Sequence, residues 1–443
     1  MILPSHYAAL TLFLISAASV STQRIGFSYE DVQRQLDFHD PFQMSRMDWN
    51  GSNRSLIISI QLARQPGFRD LSLESLTYLS SEQALADLAC FVKGMNILHG
   101  FNNPKWIVFG GAYAGSLAAW LRYKYPHLVF AAVSSSSPLQ AKVDFPEYMQ
   151  AVSDSLASVS PKCVDAIRTA NQILIDGVGN ATKRGHYREL FRLCDPFEYN
   201  QNDIRTFFNR LRINFAYAVQ YDRRGMNRDT DAVYIDMNTV CQIMTDESIH
   251  CPVHRYAEVN KLLSTYFGEK CVDHTYNGMV AELQDTSYGP ENNFWRQWYY
   301  QICLEFGWHQ SSGKKGDTFG DQFPTQFFID ICTDVYGPSF INDHLNASTE
   351  ETNTKYGGKS LPVSRVVFVQ GSIDPTSILG IIKNPPEGSC SIFIKGVAQC
   401  ADMLPETRDD PPQLIEARKK IEQIVGDWIT GKKRRSTKRT FIF

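Results

Sequence analysis

No histidine follows His344, the last of ten in this 443-residue chain, so a site built near the C-terminus has no imidazole to draw on. The ten cysteines form no CxxC pair and no His/Cys cluster of metal-ligand spacing. Their even number and wide spread point to disulfides, and neither a metal nor another cofactor is expected. Basic excess is absent too: 44 Lys and Arg against 47 Asp and Glu give a net charge of −3, which excludes nucleic acid as an expected partner. The one strongly basic stretch, GKKRRSTKRTFIF at 431–443, reads as a solvated tail. Repeats and low-complexity blocks are missing. Beyond the N-terminus there is no long apolar run, so no stable membrane span is expected, because a span takes about 20 apolar residues.

The N-terminus itself, MILPSHYAALTLFLISAASVSTQ, carries an apolar run from Ala8 to Val20 followed by small residues. No Lys or Arg precedes that run. It nonetheless reads as a secretory signal peptide, residues 1–21, which implies a secreted protein or one in a lysosomal or vesicle lumen. Four sequons, at Asn50, Asn53, Asn180 and Asn346, agree with that route as glycosylation acceptors.

With 43% hydrophobic and 12% aromatic residues, the remainder is able to bury a large core. LIISI at Leu56–Ile60 reads as a short buried strand. Ser81–Leu98 has helical spacing behind a Ser N-cap at Ser80 or Ser81. Trp106–Phe109, Ser116–Tyr125 and His127–Ser135 then read as strand, helix and strand, a βαβ unit with parallel pairing. Between about Lys162 and Gly357 strand-like runs are scarce, aromatics and helical spacing dominate, and seven of the ten cysteines occur. Strand candidates return at Val363–Gly371 and Cys390–Gly396. Pro411–Ile429 follows as a helix with Leu414, Ile421, Val425 and Trp428 on one face. The expected organisation is an α/β core in two segments, 22–160 and 358–430, around a mainly helical insertion at 161–357, ending in the basic tail 431–443. If all ten cysteines pair, the odd count on each side requires a bridge between core and insertion.

The turn from strand to helix is Gly110-Gly111-Ala112-Tyr113-Ala114-Gly115. A G-x-S-x-G turn at this place holds a serine hydroxyl above the sheet, with an acid and then a histidine on later loops. Here Ala112 stands at the tip. Asp374, in GSIDPT, stands where the acid belongs, and the loop KGVAQCADM offers Gln399. Ser116 and Ser134 to Ser137 read as ordinary helix and strand-end hydroxyls. Tyr113 would bring its backbone N–H to the usual oxyanion position. Trp295, Trp298, Tyr299 and Tyr300 read as core aromatics first and as an apolar pocket lining second.

These segments, with WYYQICLEFGWHQSS, FPTQFFIDICTDVYG and FIKGVAQCADMLPETRDDPPQLIEARKKI, resemble the serine carboxypeptidase family that holds prolyl carboxypeptidase, dipeptidyl peptidase II and thymus-specific serine protease. The resemblance implies an α/β-hydrolase fold carrying a helical cap, and hydrolysis of peptides by a serine-type exopeptidase, often beside proline. It also implies that Ala112 replaces the nucleophile, that Asp374 is the retained acid, that Gln399 replaces the histidine, and that His309 faces the pocket. Between VQRQLDFHDPF and SLIISIQLARQPGF the family's first strands and a Gly-rich turn have no counterpart, which implies an exposed sheet edge. The expectation is a catalytically inactive family member whose ligand is a peptide or protein. Two alternatives stay open: an active exopeptidase using substitute residues, and an incomplete gene model.

Overall fold

The computed structural model describes residues 70–222, 235–287, 294–404, 406–432 and 439–443, with two strands further upstream; the 1–21 segment and the sequons Asn50 and Asn53 lie outside the described residues. Its centre is a seven-stranded sheet with spatial order β1-β2-β3-β4-β7-β8-β9. The strands are β1 (Arg46–Met47), β2 (Ser55–Ser59), β3 (Lys105–Gly111), β4 (Val129–Ser135), β7 (Val366–Gly371), β8 (Cys390–Ile394) and β9 (Thr440–Ile442). β1 is antiparallel to β2; every other neighbouring pair is parallel. Parallel strands buried on both faces read as continuous apolar runs, which is why VVFVQG of β7 is buried at every position.

Helix α1 (Ser81–Leu98) starts where Ser80 Oγ accepts a hydrogen bond from Gln83 N at 3.2 Å, as a Ser N-cap should. Helix α2 (Tyr113–Lys124) follows β3 directly and packs between β3 and β4. The alternation of side chains along the strands sorts the core into two clusters. Trp106, Val108 and Phe368 join α1 and α2 on one face, while Ile107, Val367 and Ile392 face Leu414, Ile421 and Ile424 of the C-terminal helix Pro412–Thr430.

Between β4 and β7 the chain is helical: α3 (Glu147–Val159), α4 (Pro161–Gly177), α5 (Ala181–Leu190), α6 (Gln201–Gln220), α7 (Met237–Met244), α8 (Pro252–Tyr266), α9 (Tyr276–Gln284), α10 (Phe294–Gln301), α11 (Thr325–Tyr336) and α12 (Asn342–Tyr356). This is an α/β-hydrolase architecture with a helical layer above the sheet. One apolar cluster runs without a break from α1 and α2 through α3 to α11.

The helical layer is tied down in two places. A short parallel pair, β5 (Lys142–Asp144) with β6 (Gly307–His309), is one of them. At the other, Glu305 in the π-helical turn Ile302–Phe306 accepts from Ser81 N at 2.8 Å and from Ser81 Oγ at 2.7 Å, closing the N-terminus of α1. Disulfides Cys163–Cys241, Cys194–Cys271 and Cys303–Cys332 all lie within the helical layer. The expected bridge between layers is therefore absent among the described residues, because the ten cysteines do not all pair: Cys90 is an exposed thiol on α1 and Cys400 a buried one beyond β8.

A second expectation also fails. Residues 431–443 are not a solvated tail throughout, since Thr440–Ile442 forms β9 against β8, with Phe443 N donating to Phe393 O at 3.0 Å. The alternating TFIF end has strand chemistry, and Phe441 and Phe443 cover the cluster beneath the C-terminal helix.

His309 on β6 is 2% exposed, stacked on Phe328, with Nδ1 unpartnered. Burial pushes its pKa from 6.5 down to about 4. The unfolded chain binds a proton there at higher pH than the folded one, so stability is lost as pH falls from about 6.5 toward 4, by up to about 3 kcal/mol. In urea unfolding at pH 7.5 and 4.5, wild type should lose more stability on acidification than His309→Leu; equal losses would contradict this assignment.

Candidate active site

β3 ends at Gly110-Gly111, and Ala112 turns the chain into α2 with φ +54° and ψ −127°. An L-residue in such a conformation costs about 1–3 kcal/mol and persists only where its surroundings hold it there. They do so here. Ala112 N donates to Ser135 O at 3.0 Å, while Gly115 N and Ser116 N donate to Ala112 O at 2.9 and 3.2 Å. The flanking glycines are required by close approach: a Cβ on Gly110 would lie 2.0 Å from Ala114 O, and one on Gly115 would lie 2.7 Å from Ser135 O. Ala112 itself is half-buried at the tip.

The loops after β7 and β8 meet at this turn. Cys400 Sγ sits where a side chain on Gly111 would go, and Cys400 N donates to Ser136 Oγ at 2.8 Å. Asp374 is 1% exposed on the loop after β7, next to Ser136. Its Oδ1 accepts from Thr376 N at 2.9 Å and Thr376 Oγ1 at 2.7 Å, while Oδ2 is buried with no hydrogen-bond partner among the described residues. Burial raises its pKa to about 6, more than the Thr376 bonds and the neighbouring Ser136 hydroxyl lower it.

Gln399 does not reach that orphaned oxygen by any described bond. Its Oε1 accepts from Gln220 Nε2 at 2.9 Å, and its N–H donates to Gln220 O at 3.2 Å. Gln220, the last residue of α6, also accepts from the Tyr148 hydroxyl and donates to the Tyr221 hydroxyl at 3.1 Å. The end of a cap-layer helix is thus clasped to the loop after β8.

Of the sequence candidates, Ala112, Asp374 and Gln399 converge at the C-terminal ends of β3, β7 and β8. Tyr113 contributes the first N–H of α2, one of the amides a helix leaves without an internal partner. Its ring is buried against Trp298, Phe306 and Trp308, and its hydroxyl accepts from Gln301 at 3.1 Å. The serines are engaged structurally: Ser116 Oγ donates to Pro138 O, Ser134 Oγ to Gly115 O, and Ser135 Oγ to Asp402. His309 stays inside the β5–β6 tie. Tyr300 packs on Tyr336 and Phe340, while Trp295, Trp298 and Tyr299 are half-buried, with Trp298 against Tyr113. Asn180, which caps α5, and Asn346, on α12, are both exposed.

Sequence reasoning missed Gln220 and Tyr148, whose importance comes from contacts 72 and more residues apart in the chain. The larger described cavity, about 440 Å³, lies elsewhere, lined by α11 residues Asp330, Thr333 and Asp334 and by Ile341 and Asp343.

The profile of serine carboxypeptidase S28 matches residues 65–421. The chain belongs to the serine carboxypeptidase S28 family. A putative serine protease of Caenorhabditis elegans is 33% identical over 81% of this chain and 71% of its own length. Thymus-specific serine protease of Mus musculus is 31% identical over 85% of this chain and 74% of its own. Lysosomal Pro-X carboxypeptidase of Mus musculus is 24% identical over 82% and 72%. Alanine has no group to attack a carbonyl, and a glutamine amide does not exchange a proton near neutral pH as imidazole does.

Three substitutions check this geometry. Gly110→Ala should destabilise the protein by about 3 kcal/mol in urea unfolding, whereas Gly179→Ala, with nothing within 4 Å of the new Cβ, should be neutral. The ionised carboxylate of Asp374 burdens the folded state above pH 6, and this burden disappears below the ordinary value of 3.8. Asp374→Asn should therefore raise stability at pH 7 by up to about 3 kcal/mol and leave it unchanged at pH 3.5. Destabilisation at pH 7 would mean that a partner holds the charge.

Proposed function

We propose that this S28 chain is a catalytically inactive homologue of the family's serine-type exopeptidases, one that retains the hydrolase scaffold and binds peptides without cleaving them. The observation that carries this reading is the strained turn at Ala112. The backbone keeps a conformation suited to presenting a nucleophile, yet the side chain there is a methyl group. The unpartnered Oδ2 of Asp374 supports the same reading, since an imidazole N–H is what a triad acid ordinarily receives. Gln399, the candidate for that place, is turned to Gln220 instead. Loss of triad members elsewhere leaves about 10³–10⁴-fold catalysis over water, from the oxyanion hole and binding alone.

Secretion or residence in a lysosomal or vesicle lumen belongs to the same proposal. It is supported by the N-terminal apolar run, three disulfides in the helical layer and the exposed sequons Asn180 and Asn346. Among the described residues no helix is long and apolar enough to cross a membrane.

The test is a comparison of the secreted wild type with Ala112→Ser, Gln399→His and the double variant. Fluorophosphonate labelling and hydrolysis of a proline-containing peptide should be absent in wild type and in each single variant, and should emerge in the double variant. Labelling of wild type would overturn the proposal and favour an active exopeptidase.

A further inference from the structure

Three arginines stand close together on α6, and two of them have acidic partners: Arg205 lies 3.9 Å from Asp330, and Arg210 lies 2.7 Å from Glu269. The third, Arg212, is the most buried, at 5% exposure, and has no ion-pair partner among the described residues. Its Nε donates to Asn209 Oδ1 at 2.9 Å, and its Nη1 donates to Gln310 Oε1 at 2.7 Å and to Met149 Sδ at 3.5 Å. All three acceptors are neutral. Nη2 makes no hydrogen bond among the described residues.

An unpaired buried cation is expensive, because several kcal/mol of hydration are given up with no counter-charge in return. The rings of Phe323 and Phe328, 5.2 and 6.0 Å from the guanidinium carbon, recover part of it. The group nonetheless stays charged: burial lowers its pKa only to about 10, and the ionisable groups around it are the hydroxyls of Tyr148, Tyr299 and Tyr256. A retained buried cation with an idle donor edge suits an anionic ligand.

Its place in the fold says which ligand. Gln310, which takes the Nη1 bond, also reaches the Tyr148 hydroxyl, which in turn bonds Gln220, the residue holding Gln399. Arg212 and Gln220 belong to the same helix, α6, so the guanidinium is tied through Gln310 and Tyr148 to the residue that clasps the loop after β8. We propose that Arg212 is a carboxylate-binding residue linked through Gln310, Tyr148 and Gln220 to the Gln399 loop, and that it holds a peptide by its C-terminal carboxylate or by an acidic side chain. Its planar fork fits a carboxylate in two parallel hydrogen bonds, one from idle Nη2 and one from Nη1 once Gln310 yields it. This inference rests on the reading that the cleft binds peptides.

The experiment titrates the full secreted chain with three probes: Ala-Ala-Pro-Phe as the free acid, the same peptide as its C-terminal amide, and Ala-Glu-Pro-Phe amide. Wild type should bind the free acid about 10-fold more tightly than the plain amide, a gap of about 1.4 kcal/mol. Recovery of that affinity by the glutamate-bearing amide would identify the side chain as an equally good source; no recovery would identify the C-terminus. Arg212→Gln should erase the preference. Should that variant not fold, Gln310→Glu replaces it, since a carboxylate on Nη1 occupies the guanidinium from within and should also erase it. Equal binding of acid and amide by wild type, or a preference that survives either variant, overturns the role of Arg212 and leaves the peptide cleft standing. No binding of any probe overturns the peptide-cleft reading and this inference together.

Discussion

The site rests on one strained peptide turn. Ala112 is held at positive φ by three backbone hydrogen bonds between the end of β3, the end of β4 and the first turn of α2, in a space where only glycine fits at 110 and 115. The turn fixes the direction of α2, and α2 fixes where Tyr113 enters the aromatic cluster under the helical layer. A protein with no use for this geometry gains by relaxing it, because a strained residue costs as much as a good hydrogen bond contributes. Ala112 keeps this conformation with only a methyl side chain to present.

Around that turn the polar groups divide into those with partners and those without. The serines, Thr376 and Gln399 are satisfied by ordinary structural bonds. Asp374 Oδ2 is buried without a partner, and Arg212, 5% exposed, has an Nη2 that makes no hydrogen bond among the described residues. Natural interiors rarely keep such groups without a role or the remnant of one. On the proposed reading Asp374 is a remnant, lacking the imidazole N–H that a triad acid ordinarily receives. Arg212 fits a role, since a buried guanidinium with only neutral acceptors gives up hydration that a bound carboxylate would replace.

Much of the fold was legible in advance. Helix Ser81–Leu98 was recognisable with its cap because apolar spacing and an N-cap serine are both local signals, and VVFVQG was recognisable as a strand because parallel strands bury both faces. The end of the chain was misread: TFIF was assigned to a basic tail because the charge of GKKRRSTKR dominates its neighbourhood, while strand pairing with β8 depends on an open edge that no local pattern reveals. The cysteine count likewise bounded the bridges without showing that Cys90 faces solvent.

By itself the sequence determined most of the elements and the family, because those depend on residue identity, local spacing and chain order. Only the tertiary structure decided that Gln399 is clasped by Gln220, that Asp374 is left with an unpartnered oxygen, and that Arg212 is buried without a counter-charge. Each of those facts is a contact, or the lack of one, between groups far apart in the chain, and hydrogen-bond satisfaction is a property of assembled surroundings that no single segment carries.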